Sequence, residues 1–303
     1  MKILSFFTFL QQVILSLITA FSLSLPGTTD CEASFQAKNP DELIMSFSVV
    51  SDVHVETNAS DNYKQFIKML KGIKGGNHTD AAVFLGDNVM NGQELESYFF
   101  YTAVNKINPA KENLVALGNH DVGNGEGNYG NLCKRFLKFN TKYLDNSIDK
   151  PYYYKVINGC YMIFLATEDI TVNTAYISEE QYNWLSSLLA EADEAAAPIF
   201  VFNHHPIFMV EGDRYALADL LNDYKNLIYF NGHTHMQLIE FSFWLLGGVN
   251  NVYLPRSIGA GYQDGDGVVV EVYPNEVVIR CRNFIDGKWL DIPEQNYFFQ
   301  YDI

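Results

Sequence analysis

Five short apolar runs in this chain end in the same way. Val49-Val50-Ser51 leads into Asp52-Val53-His54, and Val83-Phe84-Leu85 into Gly86-Asp87-Asn88. Val115-Ala116-Leu117 leads into Gly118-Asn119-His120-Asp121, and Phe200-Val201-Phe202 into Asn203-His204-His205-Pro206. The last, Ile228-Tyr229-Phe230, leads into Asn231-Gly232-His233-Thr234-His235. Continuous apolar runs of this length read as strands covered on both faces. In open α/β sheets, ligands gather beyond the carboxyl ends of strands. Strands that share an edge would therefore bring five polar clusters together. Of seven histidines, only His78 lies outside these clusters.

The rest of the chain supports a layered α/β architecture. Strand-length runs are expected at Ile44 to Val50, Ala81 to Leu85, Leu114 to Leu117, Tyr161 to Ala166, Ile199 to Phe202 and Leu227 to Phe230. Between them, Phe66, Ile67, Leu70 and Ile73 recur at helical spacing. Trp184, Leu185, Leu188 and Leu189 do so after a candidate capping box of Ser178 with Gln181. Near the C-terminus, Gly267 to Tyr273, the turn Pro274-Asn275, and Glu276 to Asn283 read as a β-hairpin that extends a sheet. With no repeat or Pro/Gly/Ser-rich linker, residues 41–303 read as one domain with a β-rich part from 240 to 303.

Taken singly, the polar clusters are ordinary. Asp-x-His is a common loop sequence, Gly-Asp and Gly-Asn are turn signals, and only His233-Thr234-His235 hints at two side chains sharing a site. Their joint position at strand ends is what points to a metal site. Carboxylates, one amide oxygen and imidazoles, without thiolates, suit Mn, Fe, Zn or Co. So many donors exceed the needs of one ion and suffice for two that share a bridging carboxylate, the arrangement of two-metal phosphoryl-transfer sites.

The order Asp-x-His, Gly-Asp, Gly-Asn-His-Asp, His-x-Pro, Gly-His-x-His between Asp52 and His235 resembles the calcineurin-like metallophosphoesterase superfamily. The resemblance implies a four-layer α/β/β/α sandwich with a binuclear centre. It implies Asp52, His54 and His235 on one divalent metal ion, Asn119, His204 and His233 on the second, and Asp87 bridging both. His204 is chosen over His205 because the family's ligand stands two residues before proline. The implied chemistry is in-line attack on phosphorus by a hydroxide held between the metals, with His120 donating a proton to the departing alkoxide. Asp121 is a candidate to orient His120, and His205, Asn88 and Arg256 are candidate phosphate, substrate or outer-sphere contacts. Met90-Asn91 stands where the phosphoprotein-phosphatase branch has Asp-Arg, and Met90 where purple acid phosphatases have a metal-binding tyrosine, so neither phosphoprotein-phosphatase activity nor an iron–tyrosinate chromophore is expected. The stretch after His235 is short for the second domain of the secreted 5′-nucleotidases. A metallo-β-lactamase-type site would need a His-x-His-x-Asp-His block, which is missing. The expected function is hydrolysis of phosphomonoesters or phosphodiesters, the alternative a metal-stabilised binding protein that keeps the fold without turnover.

Charge and the N-terminus bound the setting. With 20 basic and 36 acidic residues the formal charge is −16, which disfavours nucleic-acid binding through a basic face but allows small phosphorylated substrates. Lys2 followed by an uncharged stretch, with small residues near Ala20 and Ser24, reads as a signal peptide over residues 1–25. An uncleaved anchor is the alternative and would be the sole membrane contact. Either places the protein outside the cytoplasm. There Cys31, Cys133, Cys160 and Cys281 are expected to be structural bridges or buried thiols, and Asn58 and Asn77 begin glycosylation-acceptor triplets. Glycine and asparagine between Val122 and Asn131 mark an expected mobile loop.

Overall fold

The structure, a computed structural model, describes residues 37–76, 80–211, 214–246, 248–259 and 264–299. The N-terminal segment 1–25, Cys31, Asn77 and His78 lie outside the described residues. Strands β1 (Met45–Val50), β2 (Ala81–Leu85) and β3 (Glu112–Ala116) run parallel. The expected hairpin forms from β12 (Asp266–Tyr273) and β13 (Glu276–Asn283), and β12 pairs antiparallel with β1. β14 (Lys288–Trp289) and β15 (Gln295–Phe298) both pair with β13, completing one sheet.

A second sheet holds β4 (Tyr153–Ile157), β5 (Cys160–Phe164), β7 (Ile199–Phe202), β9 (Leu227–Asn231), β10 (Phe243–Leu246) and β11 (Val249–Tyr253), in the order β10-β11-β9-β7-β5-β4. Within it β5, β7, β9 and β11 are parallel, with antiparallel edges. The short β6 (Ala175–Tyr176) and β8 (Val210–Glu211) pair with each other.

Side-chain alternation explains how the layers stack. In β5, β7 and β9, Met162, Phe164, Phe200, Phe202, Ile228 and Phe230 point into the core between the sheets. Their neighbours Tyr161, Ile163, Ile199, Val201, Leu227 and Tyr229 point outward into a second core. Phe47 of β1 meets Phe200, Phe202 and Phe230 edge-on at ring distances of 5.1, 6.2 and 6.4 Å, joining the sheets. Burying one such ring contributes about 1.5–3 kcal/mol.

Helices cover the outer faces. α1 (Asp61–Gly75) carries Phe66, which packs against Phe84 of β2 and Phe100 of α2 (Glu94–Ile107). α3 (Tyr129–Leu144) lies beside α2 and β3. On the far side α4 (Glu179–Glu194) and α5 (Arg214–Asn222) supply Leu185, Leu188, Leu189, Leu217 and Leu221 to the second core. The architecture is the expected four-layer α/β/β/α sandwich.

Two local expectations need correction. Ser178 caps α4 by accepting from the Gln181 amide, but the Gln181 side chain does not complete the box. It bonds both backbone groups of Ala166 instead, because the chain leaving β5 needs partners more than the helix end does. The loop expected over Val122 to Asn131 ends earlier, since Asn128 caps α3 by accepting from Asn131 N. Of the two readings for the cysteines, Cys133, Cys160 and Cys281 follow the buried-thiol one, and burial raises all three above the ordinary thiol value. Among the described residues no helix is long and apolar enough to cross a membrane.

Candidate metal centre

The polar clusters meet where the carboxyl ends of β1, β2 and β3 face those of β7 and β9. Five of the side chains stand on left-handed backbone: Asp52 (φ 55°), His54 (φ 44°), Asp87 (φ 50°), His233 (φ 71°) and His235 (φ 55°). Non-glycine residues avoid this region, and its concentration here marks turns held against local preference by the surrounding fold. Backbone bonds do the holding. His54 N and Val55 N donate to the Asp87 and Asn88 carbonyls, and Gly232 N donates to the His204 carbonyl.

Asp87 belongs to both donor groups that can hold a cation. Asp52, His54, Asp87 and His235 form one, and Asp87, His204 and His233 form the other, each with its donor atoms within 4.8 Å of one another. His235 Nε2 stands 3.0 Å from Asp52 Oδ1 and 3.2 Å from His54 Nε2, and His204 Nε2 stands 3.2 Å from Asp87 Oδ2. Donors about 2.1 Å from one ion at angles between square and tetrahedral stand roughly 3.0–3.4 Å apart. These spacings therefore fit a first coordination sphere.

Orphaned atoms give a second test of fit. Asp52 spends Oδ2 on Ser51 Oγ (2.6 Å) and His233 N (3.2 Å), which leaves the buried Oδ1 facing the imidazoles, with His235 Nε2 3.0 Å away. Asp87 likewise spends Oδ1 on His120 N (2.9 Å) and turns Oδ2 toward the imidazoles. The amide of Asn119 donates to Asn124 Oδ1 (2.9 Å), leaving its own Oδ1 buried and unpaired. His204 Nδ1 donates to the Leu85 carbonyl (2.8 Å), which aims Nε2 at Asp87 Oδ2, 3.2 Å away. Orienting a metal-binding imidazole through its other nitrogen is the usual outer-sphere device. Buried, unpaired acceptors are costly, and one cation per group would satisfy them together.

The glycines before the motif residues are required by close approach. A Cβ on Gly118 would lie 2.2 Å from Asp87 Oδ1, and one on Gly232 2.2 Å from Ser51 Oγ and 2.6 Å from Asp52 Oδ2. Sequence patterns read these glycines only as turns. Their second role is to leave room for carboxylates that arrive from other strands.

Protonation follows from burial and mutual charge. Burial works most strongly against ionising Asp52 and Asp87, but the His204 charge and the surrounding imidazole contacts together outweigh it and both carboxyls sit below their usual range. Burial would depress His204 too, yet Asp87 and Asp52 draw it up to about 10. Burial and then the His204 charge push His233 down to about 4 and His205 well below its ordinary value.

The remaining candidates fall into different places. His120 lies at the mouth, its side chain 20 % exposed, with Nε2 3.9 Å from Asp87 Oδ2 and its ring 4.6 Å from that of His54. Asp121 does not orient it. That carboxylate turns away to accept from Gly118 N, Asn88 N, Asn88 Nδ2 and Val89 N, tying the turn after β2 to the turn after β3. Burial and the Asp87 charge raise Asp121 to about 7 against the pull of those amides. The bond to the His120 ring comes from the Met90 carbonyl, which accepts from Nδ1. Asn88 is buried, with Nδ2 donating to the Ala116 carbonyl and Asp121. His205 is fully buried, its ring 4.3 Å from that of His233, so it backs a donor and has no face for substrate. Arg256 follows β11 at the same edge. Its Nε donates to the Ile258 carbonyl, and its charge acts on His54.

This fold and this donor set define a metal-dependent phosphoester hydrolase. The family model of calcineurin-like phosphoesterases matches residues 45–237, and the chain belongs to that family. Among solved structures it is similar to a dimetal phosphatase from Danio rerio, at 12% identity and a TM-score of 0.58, covering 85% of this chain and 100% of that one. It is also similar to the sulfate thiohydrolase SoxB from Thermus thermophilus, at 10% identity and a TM-score of 0.51, covering 85% of this chain and 59% of that one. No curated protein matches the sequence.

Proposed function

We propose that this chain is an exported hydrolase of small phosphate monoesters or diesters working with two divalent cations. The observation that carries the reading is that Asp87 belongs to both donor groups. Asp52, His54 and His235 would hold one cation, Asn119, His204 and His233 the other, and Asp87 both. Bound there, the pair would supply charge to activate water and to stabilise the phosphoryl oxygens.

The chain's own residues do the rest. Asp52 and Asp87 each anchor one oxygen on backbone N–H groups, so the donor geometry is preorganised rather than assembled on binding. His120 stands at the exposed side of Asp87, where its Nε2 can pass a proton to the oxygen leaving phosphorus. Export is supported by the charge and apolar pattern of residues 1–25, and N-terminal sequencing of protein recovered outside the cytoplasm would test it.

The test of the activity is a Mn²⁺ titration of stripped protein with p-nitrophenyl phosphate and its bis ester, then phosphorylated metabolites, cyclic nucleotides and phospholipid head groups. Metal-dependent turnover that falls about 10²–10⁴-fold in His120→Ala is expected. Metal binding without turnover of any ester would favour a non-catalytic binding protein.

A further inference from the structure

His120 is the group that the proposed reaction needs to be aimed, and among the described residues no charged side chain stands within hydrogen-bond distance of its ring, Asp87 Oδ2 lying 3.9 Å from Nε2. Its ring is held by a backbone carbonyl, that of Met90. A carbonyl orients an imidazole only as well as its own loop is fixed, and residues 90–93 follow a turn with no regular structure until α2 begins.

A half-buried carboxylate and a buried one grip this loop, one on each side of Met90. Upstream, Asp121 accepts from the amides of Asn88 and Val89. Downstream, Glu96, only 4 % exposed, accepts from Asn91 N (2.9 Å), Asn91 Nδ2 (2.8 Å) and Gln93 N (3.1 Å). Met90 N donates to the Val55 carbonyl (3.1 Å), and Arg135 of α3 donates to the Gly92 carbonyl. Gly92 lies directly on the turn after His120, since a Cβ there would meet the His120 carbonyl oxygen at 2.9 Å.

The geometry points to Glu96 as a positioning residue for His120, acting through the Met90 carbonyl. This rests on the reading of His120 as proton donor. Glu96 also caps α2, a stabilising role worth about 1 kcal/mol in general, but a cap alone needs only the bond to Gln93 N. The bonds to both nitrogens of Asn91 fix the residue next to Met90. With the loop fixed, Nδ1–H stays on Met90 O and the Nε2 proton is the one that moves to the leaving oxygen. With the loop loosened, the ring loses its aim while the metal donors keep theirs.

The experiment compares p-nitrophenyl and phenyl esters, because a poor leaving group needs the proton and a good one does not. Metal-loaded Glu96→Ala should lose about tenfold or more in kcat on the phenyl ester and about two- to threefold on the nitrophenyl ester, the same selectivity as His120→Ala at smaller amplitude. Glu96→Gln keeps an oxygen for the loop amides and should restore turnover to within about twofold. In a His120→Ala background, Glu96→Ala should leave the ratio of the two rates unchanged. As a readout apart from turnover, the His120 Nδ1–H resonance, assigned by its loss in His120→Ala, should broaden or exchange faster in Glu96→Ala. If Glu96→Ala does not fold, Glu96→Asp keeps the charge at the helix start, shortens the reach and should show the same selectivity. Equal losses on both esters with an unchanged His120 resonance would overturn the inference and leave only a structural cap. Should His120→Ala itself lack selectivity, the reading of His120 fails and the inference with it. If His120→Ala is selective and the Glu96 variants are not, the inference alone fails.

Discussion

His54 Nε2 and His235 Nε2 stand 3.2 Å apart although 181 residues separate them in the chain. Two imidazole nitrogens face each other at that distance when a proton or a cation lies between them. With Asp52 Oδ1 3.0 Å from the same His235 nitrogen, the site has three donors converging on one point. Replacing His54 or His235 with Ala should weaken Mn²⁺ binding at that position by at least about a hundredfold, since even outer-sphere partners are worth 10–100-fold. Asp87→Ala should weaken both positions together. Metal content after equilibrium dialysis, near two per chain in the parent and near one in His54→Ala, checks this.

Gly118 tests the cradle around Asp87. In Gly118→Ala the added methyl would lie 2.2 Å from Asp87 Oδ1 and 2.4 Å from Asp87 N, so the carboxylate or the turn must shift. Overpacking of this kind costs about 1–3 kcal/mol, and displacing a reacting group by an ångström costs about a hundredfold in rate. A folded protein with turnover reduced to about that degree is expected from circular dichroism and kcat. Turnover within twofold of the parent would show that Asp87 tolerates the shift.

Metal binding should depend on pH through His204. In the metal-free chain Asp87 and Asp52 draw that imidazole up to about 10, so it is protonated at neutral pH. A cation must displace the proton. Apparent affinity at the second position should therefore rise about tenfold per pH unit across the neutral range and level off as pH approaches the His204 value. Calorimetry in buffers of different ionisation enthalpy should count about one proton released. A flat pH response would mean that no proton on His204 competes with the cation.

Away from the centre, Asp266 makes a prediction about stability. Burial, with Asp286 and Asp264 nearby, raises its carboxyl to about 6 despite the bond from Asn283 Nδ2 (2.7 Å). The folded state thus holds this proton more tightly than the unfolded chain does. The stabilisation is fully present below the ordinary value of 3.8 and is lost as pH rises through about 6. Asp266→Asn removes the titration, so in urea unfolding it should match the parent at low pH and exceed it by about 1–3 kcal/mol at neutral pH. An equal gap at both pH values would contradict this.

What was legible in the sequence was whatever residue type and period encode. The apolar runs of β1, β2, β7 and β9 and the hairpin of β12 and β13 stand out because strands buried on both faces, or joined by Pro274-Asn275, have few other readings. The donor residues stand out because carboxylates and imidazoles rarely follow such runs in that order. Roles without a side-chain signature were not legible. A carbonyl at Met90 takes the place expected for Asp121, since the carboxylate satisfies one donor in its own turn and three in the turn after β2. Gly118 acts by what it lacks, and Glu96 reads as an ordinary residue of a helix's first turn until its partners at Asn91 are seen. The edge strands β4 and β10 are not legible as strands covered on both faces, because Tyr154 and Val156 in one and Trp244 and Leu245 in the other are exposed.

Anomalous diffraction from crystals grown with Mn²⁺ tests the central claim most directly. The account predicts two peaks about 3.5–4 Å apart, one between Asp52, His54 and His235 and the other among Asn119, His204 and His233, with Asp87 touching both. A single peak, or peaks that Asp87 does not reach, would contradict it.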